Sequence, residues 1–339
     1  MVEILIRTKA LYPYRLFARY FMIAIDGTGI LTFHERHCDH CLTRKLSNGS
    51  TLYYHPVLEA KLVTGNGFCF SVMSEFIENE DLNISKQDCE LKAFYRLTQR
   101  LKARFPHLPV CLLLDGLFAG GPTFMLCKKN GWKYMISLTD NDLPSLNREF
   151  EAVAKLTPEN RKHLKIELPD KQVKQSYRWV NDLYYKDSKS NEHLLHVLEC
   201  LEQTTTINNQ TTKTKFKWVT NFKLDEKRAI TLANNGGRVR WKIENEGFNT
   251  QKNGGFELEH PYSENQNARK VFYLLIQIAH MIFQLIEKGS LFKKAFPKGV
   301  GSAKNMAKRF LEAWRNLRLE QIAFTNLGKG KFQIRFDTS

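Results

Sequence analysis

Apolar and β-branched residues come in short runs through the first 140 positions. Residues 17 to 25, from Phe17 to Ile25, predict a strand that stops at Asp26-Gly27-Thr28-Gly29, where two glycines permit a turn. Thr51 to Leu62 and Phe68 to Phe76 predict two further strands and an antiparallel meander with one solvated face. A polar, helix-compatible stretch from Lys86 to Phe105 leads to Pro109 to Leu114, which is almost wholly apolar and reads as a central strand covered on both faces. It too ends in a carboxylate followed by glycine, Asp115-Gly116. A helix from about Pro122 to Asn130 and a strand over Trp132 to Leu138 complete a strand–helix–strand crossover, so the sheet is expected to be partly parallel.

The texture changes between about 140 and 225. Leu164 to Leu168, Ser176 to Tyr185, Leu194 to Cys200 and Phe216 to Phe222 predict strands whose aromatics need burial, separated by polar linkers at Lys186 to Asn191 and over the Thr-rich run 204 to 214. This span reads as a β-rich insertion. Helical sequence resumes at Asp225, runs through Arg240 to Lys252, and returns from Asn265 to Lys288. A third helix is expected over about Ser302 to Leu319, and a strand-like tail over Phe332 to Phe336. The chain divides on this reading at 1–140, 141–225, 226–288 and 289–339. There is no repeat of 20 to 50 residues, no phosphate loop and no Gly-x-Gly-x-x-Gly.

The 51 Lys and Arg against 35 Asp and Glu leave a charge of +16, which favours a polyanionic partner. Residues 288 to 339 hold 12 basic and 3 acidic side chains, so +9 of that excess lies at one end of the chain. Seven cysteines scattered through 339 residues, 42% of them apolar, do not resemble a disulfide scaffold. The most apolar stretch, Val271 to Ile286, is interrupted by Gln277, His280 and Gln284 and reads as a buried helix rather than a membrane span. With no secretory-type leader after Met1, a reducing, intracellular location is expected.

Asp26 and Asp115 each follow an apolar strand and precede glycine. Asp-Gly is a common turn pair, but the carboxyl ends of neighbouring strands are also where ligands bind in an α/β sheet. Two facing carboxylates repel unless a cation lies between them. A third acid comes from the helical segment Arg240-Trp-Lys-Ile-Glu244. At about 100 degrees per residue, positions 237, 240, 244 and 251 share one face and Glu246 points away. A surface Arg–Glu pair is the plainer account of Arg240 and Glu244.

The three blocks together resemble the catalytic portion of bacterial insertion-sequence transposases of the DDE type. The resemblance is to the group whose third acid lies in a Tyr-x-x-Arg-x-x-x-Glu-x-x-x-x-x-x-Lys signature, and it spans roughly residues 17 to 288. Ile25-Asp26-Gly27-Thr28 is similar to the first block, Leu113-Leu114-Asp115-Gly116-Leu117-Phe118 to the second, and Arg240 through Lys252 to the third. The resemblance implies an α/β, ribonuclease-H-like mixed-sheet core. It implies a β-rich insertion before the helix carrying the third acid. It also implies catalytic, metal-holding Asp26, Asp115 and Glu244, with Mg²⁺ or Mn²⁺, two ions, as cofactor. Arg240 would contact a phosphate, and Lys252 more weakly so. The signature tyrosine position holds Gly237, and the lysine position holds Gln251 with Lys252 one residue late. The implied partner is double-stranded DNA, both transposon ends and target, with a homodimer assembled on it and no membrane. The implied location is the bacterial cytoplasm, at the nucleoid when bound. Only 25 residues precede Asp26, so the usual N-terminal DNA-binding region is expected to be missing. The alternatives are a ribonuclease-H-like DNA nuclease without strand transfer, and a truncated, inactive DNA-binding remnant.

Lys304, Lys308, Arg315 and Arg318 recur on the third predicted helix beside Met306, Phe310, Leu311, Trp314 and Leu317, predicting one side against protein and one toward phosphate, or a solvated basic face. His34, His37, Cys38, His40 and Cys41 form the densest soft-ligand cluster. Cys38-x-x-Cys41 has zinc-compatible spacing but lacks a second half-site, and His55 joins only through folding, so an unmetallated loop is the default. A redox role for the pair lacks a thioredoxin-like context. His280, Trp179 and Trp218 are expected to be packed core residues.

Overall fold

The computed structural model describes residues 1–35, 38–79, 86–263, 265–289, 294, 296–299 and 301–316. The expected segments at 317–339, including Arg318 and the tail over Phe332 to Phe336, lie outside the described residues, as does His37.

Among the described residues, ten strands join one mixed sheet. They are β1 (Phe21–Phe33), β2 (Leu42–Lys45), β3 (Thr51–Val63), β4 (Cys69–Phe76), β5 (Val110–Leu114), β6 (Lys133–Ser137), β7 (Arg161–Leu168), β8 (Lys171–Lys186), β9 (Glu192–Thr206) and β10 (Thr211–Thr220). The order is β2-β3-β1-β5-β6-β10-β9-β8-β7, with β4 also on β3. β1, β5 and β6 are parallel neighbours, and the other pairings are antiparallel. The crossover helix α3 (Gly121–Asn130) supplies the β5–β6 connection that parallel pairing requires. The strands expected in the insertion do not form a separate layer. β10 pairs with β6, so the hairpins β7 to β10 continue the same sheet.

Three expectations are corrected. The first strand does not stop at Asp26: β1 runs through both glycines to Phe33 because β3 offers a partner along that length, from Asp26 opposite Glu59 to Phe33 opposite Tyr53. The Thr-rich run is largely strand, since Thr204 and Thr205 lie opposite Thr212 and Thr211 across a short turn, and β-branched threonine suits that pleat. Finally, residues 144 to 156 form a helix, α4 (Pro144–Leu156), started by proline and burying Leu146, Phe150 and Ala154.

The core has two layers. Ile23, Ile25, Leu112 and Leu114 face α2 (Glu90–Arg104), α3 and α4. The alternate positions Met22, Ala24, Cys111 and Leu113 face α5 (Glu226–Asn235) and the segment after it. That two-sided cover explains why β5 is apolar at every position.

Helix α7 (Gln266–Glu287) packs with unusual polarity. It is the one described helix long and apolar enough to cross a membrane, yet the side it turns to the protein carries Arg269, Gln277, His280 and Gln284, while Val271, Leu274, Leu275, Ile278 and Ile282 are exposed. The two glutamines are hydrogen-bonded, whereas His280 Nε2 and one Arg269 guanidinium nitrogen have no hydrogen-bond partner among the described residues. Gln284 accepts from the Cys69 amide at 2.7 Å and donates to the Cys69 carbonyl at 3.0 Å. Lys61, itself fully buried, donates to Gln277 at 2.6 Å. His280, as expected, is a packed histidine, with Gln251 Nε2 3.1 Å from its Nδ1. Replacing Gln284 by leucine therefore orphans a buried amide and carbonyl. Gln284→Leu is expected to cost about 1–3 kcal/mol in chemical denaturation, whereas Ile278→Ser changes stability by less than about 0.5 kcal/mol. The reverse ranking would contradict this packing.

Candidate functional site

Register alone brings the first two acids together. Ala24 on β1 is paired with Leu113 on the parallel neighbour β5, so Asp26, two residues further along β1, and Asp115, one residue past the end of β5, come to the same face. Asp115 also caps the short turn after β5, accepting from the Leu117 amide at 3.1 Å, and Asp26 accepts from the Gly27 amide at 2.9 Å.

The third acid arrives on the chain that covers this face. The expected continuous helix from Asp225 to Lys252 is broken. After α5 come a 3₁₀ segment (Gly237–Trp241), a π-helical segment (Ile243–Asn249) and the single turn α6 (Thr250–Asn253). Val239, Ile243 and Phe248 pack on Ala24 and Leu113 and hold the segment against the sheet. π-helical turns are rare and concentrate at functional sites.

Arg240 and Glu244 are on one face, as expected, but Arg240 does not extend toward solvent. Its side chain is 8% exposed. One guanidinium nitrogen lies 3.1 Å from Asp26 Oδ2 and another 3.0 Å from Glu244 Oε1. Arg240 is thus the cation that links the first acid to the third. The charge it supplies is insufficient. Burial drives the Asp26 pKa up to about 7, Arg240 pulls it down, and the neighbouring Asp115 and Glu244 push it up again. Burial likewise raises Asp115, with Arg240 opposing and Glu244 and Asp142 reinforcing the rise. Desolvation and like charge together outweigh one shared guanidinium.

Two acids at this site escaped the sequence reading. Glu90, in the first turn of α2, lies over Gly27: a Cβ there would come within 2.2 Å of Glu90 Oε1. Burial raises the Glu90 pKa, and Asp115 adds to it. Asp142 lies as close to Gly116 and accepts from the Thr139 amide and hydroxyl. The signal was the pair of glycines, each following an acid and each leaving room for a second carboxylate.

The other expected contacts are distributed differently. Gln251 is fully buried and bonded to Gln277 and His280, so the signature lysine position belongs to the interior. Lys252 is paired with Glu259 at 2.7 Å. At the signature tyrosine position, Gly237 is required by packing, because a Cβ would lie 2.3 Å from the Trp218 indole. Trp218 and Trp179 are core residues, as expected. Lys304, Lys308 and Arg315 are exposed on α8 (Ala303–Asn316), which is anchored by buried Met306. Phe310 and Leu311, expected to pack against protein, are exposed.

Among the described residues, the only group of His, Cys, Asp or Glu whose ligand atoms all fall within 4.8 Å is Cys38, Cys41 and His55, away from these acids. The three carboxylates are held wider, with Arg240 bonded to two of them. No protein-family model matches the chain, and no curated protein matches it.

A carboxyl whose pKa is raised on folding holds its proton more tightly in the native chain. Its contribution to stability is therefore full below about pH 4 and is lost as pH climbs through about 7 for Asp26. Asp115→Asn keeps a capping oxygen and removes one like charge. In chelator at pH 8 it is expected to melt about 2 °C higher than the parent, for ~1 kcal/mol, with the gap closing toward pH 4. A lower melting temperature at pH 8 would contradict mutual repulsion at the site.

Proposed function

We propose that this chain is a divalent-metal-dependent DNA transposase of the DDE type, built on a ribonuclease-H-like core. The observation that carries this reading is the convergence of Asp26, on β1, and Asp115, just past the end of the parallel strand β5, with Glu244 from the covering segment. The mixed sheet supports the core, with its parallel centre, antiparallel meander at one edge and helices on both faces.

The residues suit Mg²⁺ or Mn²⁺. They offer hard oxygen donors, and the raised pKa values of Asp26 and Asp115 mark an unmet demand for positive charge. Asp26, Asp115 and Glu244 would hold the ions. Bound there, two ions supply Lewis-acid activation of water and stabilisation of the attacking and leaving oxygens at a phosphodiester. The chain's own residues do the rest. Asp26 on β1 and Asp115 just past the end of β5 are held by the sheet, so the carboxylates would set where cations sit and thereby orient a scissile phosphate. Arg240, which bonds Asp26 and Glu244 in this structure, would contact a phosphate oxygen if those two bonds were exchanged. Exposed Lys304, Lys308 and Arg315 attract the DNA backbone, which the acids alone would repel. Double-stranded DNA, as transposon ends and as target, is the substrate, and two copies would pair two ends. A bacterial cytoplasmic location accompanies this reading.

The test is a single-turnover assay with end-bearing DNA and Mg²⁺. Cleavage exposing a 3′-OH, followed by its joining to a second duplex, is the expected outcome. Asp26→Ala and Glu244→Gln are each expected to lower cleavage by at least about 10³-fold, more than ~4 kcal/mol of barrier, with nonspecific DNA binding largely kept. Cleavage without joining would support a nuclease, and binding without either step an inactive remnant. Replacing Lys304, Lys308 and Arg315 together by alanine is expected to flatten the dependence of log affinity on log salt by about 0.9 per lost phosphate contact. An unchanged slope would remove α8 from the DNA interface.

A further inference from the structure

The turn between β1 and β2 places Cys38 and Cys41 on one side, with the Cys41 amide bonded to the Cys38 carbonyl at 3.3 Å. His55 comes from β3, opposite Leu31 of β1. Folding thus brings an imidazole to two thiols 17 and 14 residues away. Cys38 Sγ and Cys41 Sγ are 3.7 Å apart, and His55 Nε2 lies 3.3 Å from the first and 3.1 Å from the second.

These separations discriminate between chemistries. A disulfide needs about 2.05 Å between sulfurs. Zinc bonds of about 2.3 Å to sulfur and about 2.0 Å to nitrogen, at tetrahedral angles, put the sulfurs about 3.8 Å apart and each sulfur about 3.5 Å from the nitrogen. The sulfurs match that spacing, and the nitrogen lies a few tenths of an ångström inside it. The donors are soft, which favours zinc over the hard ions suited to carboxylates. Cys41 and His55 are buried, and Cys38 is partly covered. The ring of Phe33 lies edge-on to the imidazole at 6.4 Å and keeps the site apolar on that side. The nearby charges are cationic: Arg269 acts on Cys41, and Arg269, His40 and Lys270 act on His55. Two thiolates would neutralise a divalent ion, so the site adds no net charge to those cations.

We propose that Cys38, Cys41 and His55 bind one zinc ion, which clips the β1–β2 connection and β2 to β3. Three protein donors leave the fourth tetrahedral position to be filled by another ligand. Leu31 is five residues beyond Asp26 on β1, about 17 Å along a strand, so the clip is separate from the acids. The third donor, His55, is invisible along the sequence because it meets the two thiols only when β1 and β3 pair.

The test uses the full-length protein, purified without chelator and analysed for metal content. One zinc per chain is expected, falling to background in Cys38→Ser and His55→Gln and unchanged in Asp115→Asn. Retention of zinc by the Cys38 and His55 variants would overturn the proposal. So would a native chain that carries no zinc and instead shows a Cys38–Cys41 disulfide by mass. If the variants do not fold, the native chain still decides. Cobalt exchanged into it is expected to give the intense visible bands of a tetrahedral ion and a thiolate charge-transfer band, and their absence would overturn the assignment. Because Asp115→Asn and Asp26→Ala lie outside the clip, loss of DNA cleavage with zinc retained separates failure at the acids from failure of the clip.

Discussion

Carboxylates that converge on one half-buried space need positive charge between them, and the fold around β1 and β5 is arranged about that requirement. The register of the apolar parallel strands β1 and β5 brings Asp26 and, just past the end of β5, Asp115 to the same face. The covering segment delivers Glu244, and with it Arg240, the one cation among the described residues that bonds two of the three. A single guanidinium shared between Asp26 and Glu244 cannot offset the burial of the first and the repulsion from Asp115, which is why Asp26 holds its proton to about pH 7. The site is electrostatically unfinished, a demand for positive charge that the proposed divalent ions would meet.

The same requirement makes Arg240 a structural counter-ion to Asp26 and Glu244. In the proposed function it would become a phosphate ligand only when something else neutralises them. The 3₁₀ and π-helical segments on either side of Lys242 set its position, since a continuous α-helix would carry the chain past the sheet at a different pitch. Gly237 allows that approach by leaving its Cβ space to Trp218.

Much of this was legible in the sequence because local signals were strong. Apolar runs ending in Asp-Gly located both strand acids, and the crossover spacing gave the parallel centre of the sheet. The three ordered blocks singled out Glu244 and Arg240. What escaped depended on partners distant in the chain. β1 continues past its glycines because β3 pairs with it there. Glu90 and Asp142 reach the site only because Gly27 and Gly116 lie beneath them. His55 meets Cys38 and Cys41 only across the β1–β3 pairing. Gln251, placed on the acid-bearing face by α-helical periodicity, points inward because the π-helical segment changes the phase of every residue after it. The apolar outer row of α7 likewise defies a reading in which apolar means buried, since the polar side satisfies backbone and side-chain groups of β3 and β4.

The most direct measurement is the anomalous scattering of Mn²⁺ in crystals grown with end-sequence DNA. The account predicts a peak bonded to Asp26 and Asp115 carboxylate oxygens at about 2.1 Å, with Glu244 drawn in and Arg240 turned from Asp26 toward a phosphate. Saturating Mn²⁺ with no peak at these acids, and Arg240 still joining Asp26 to Glu244, would contradict it.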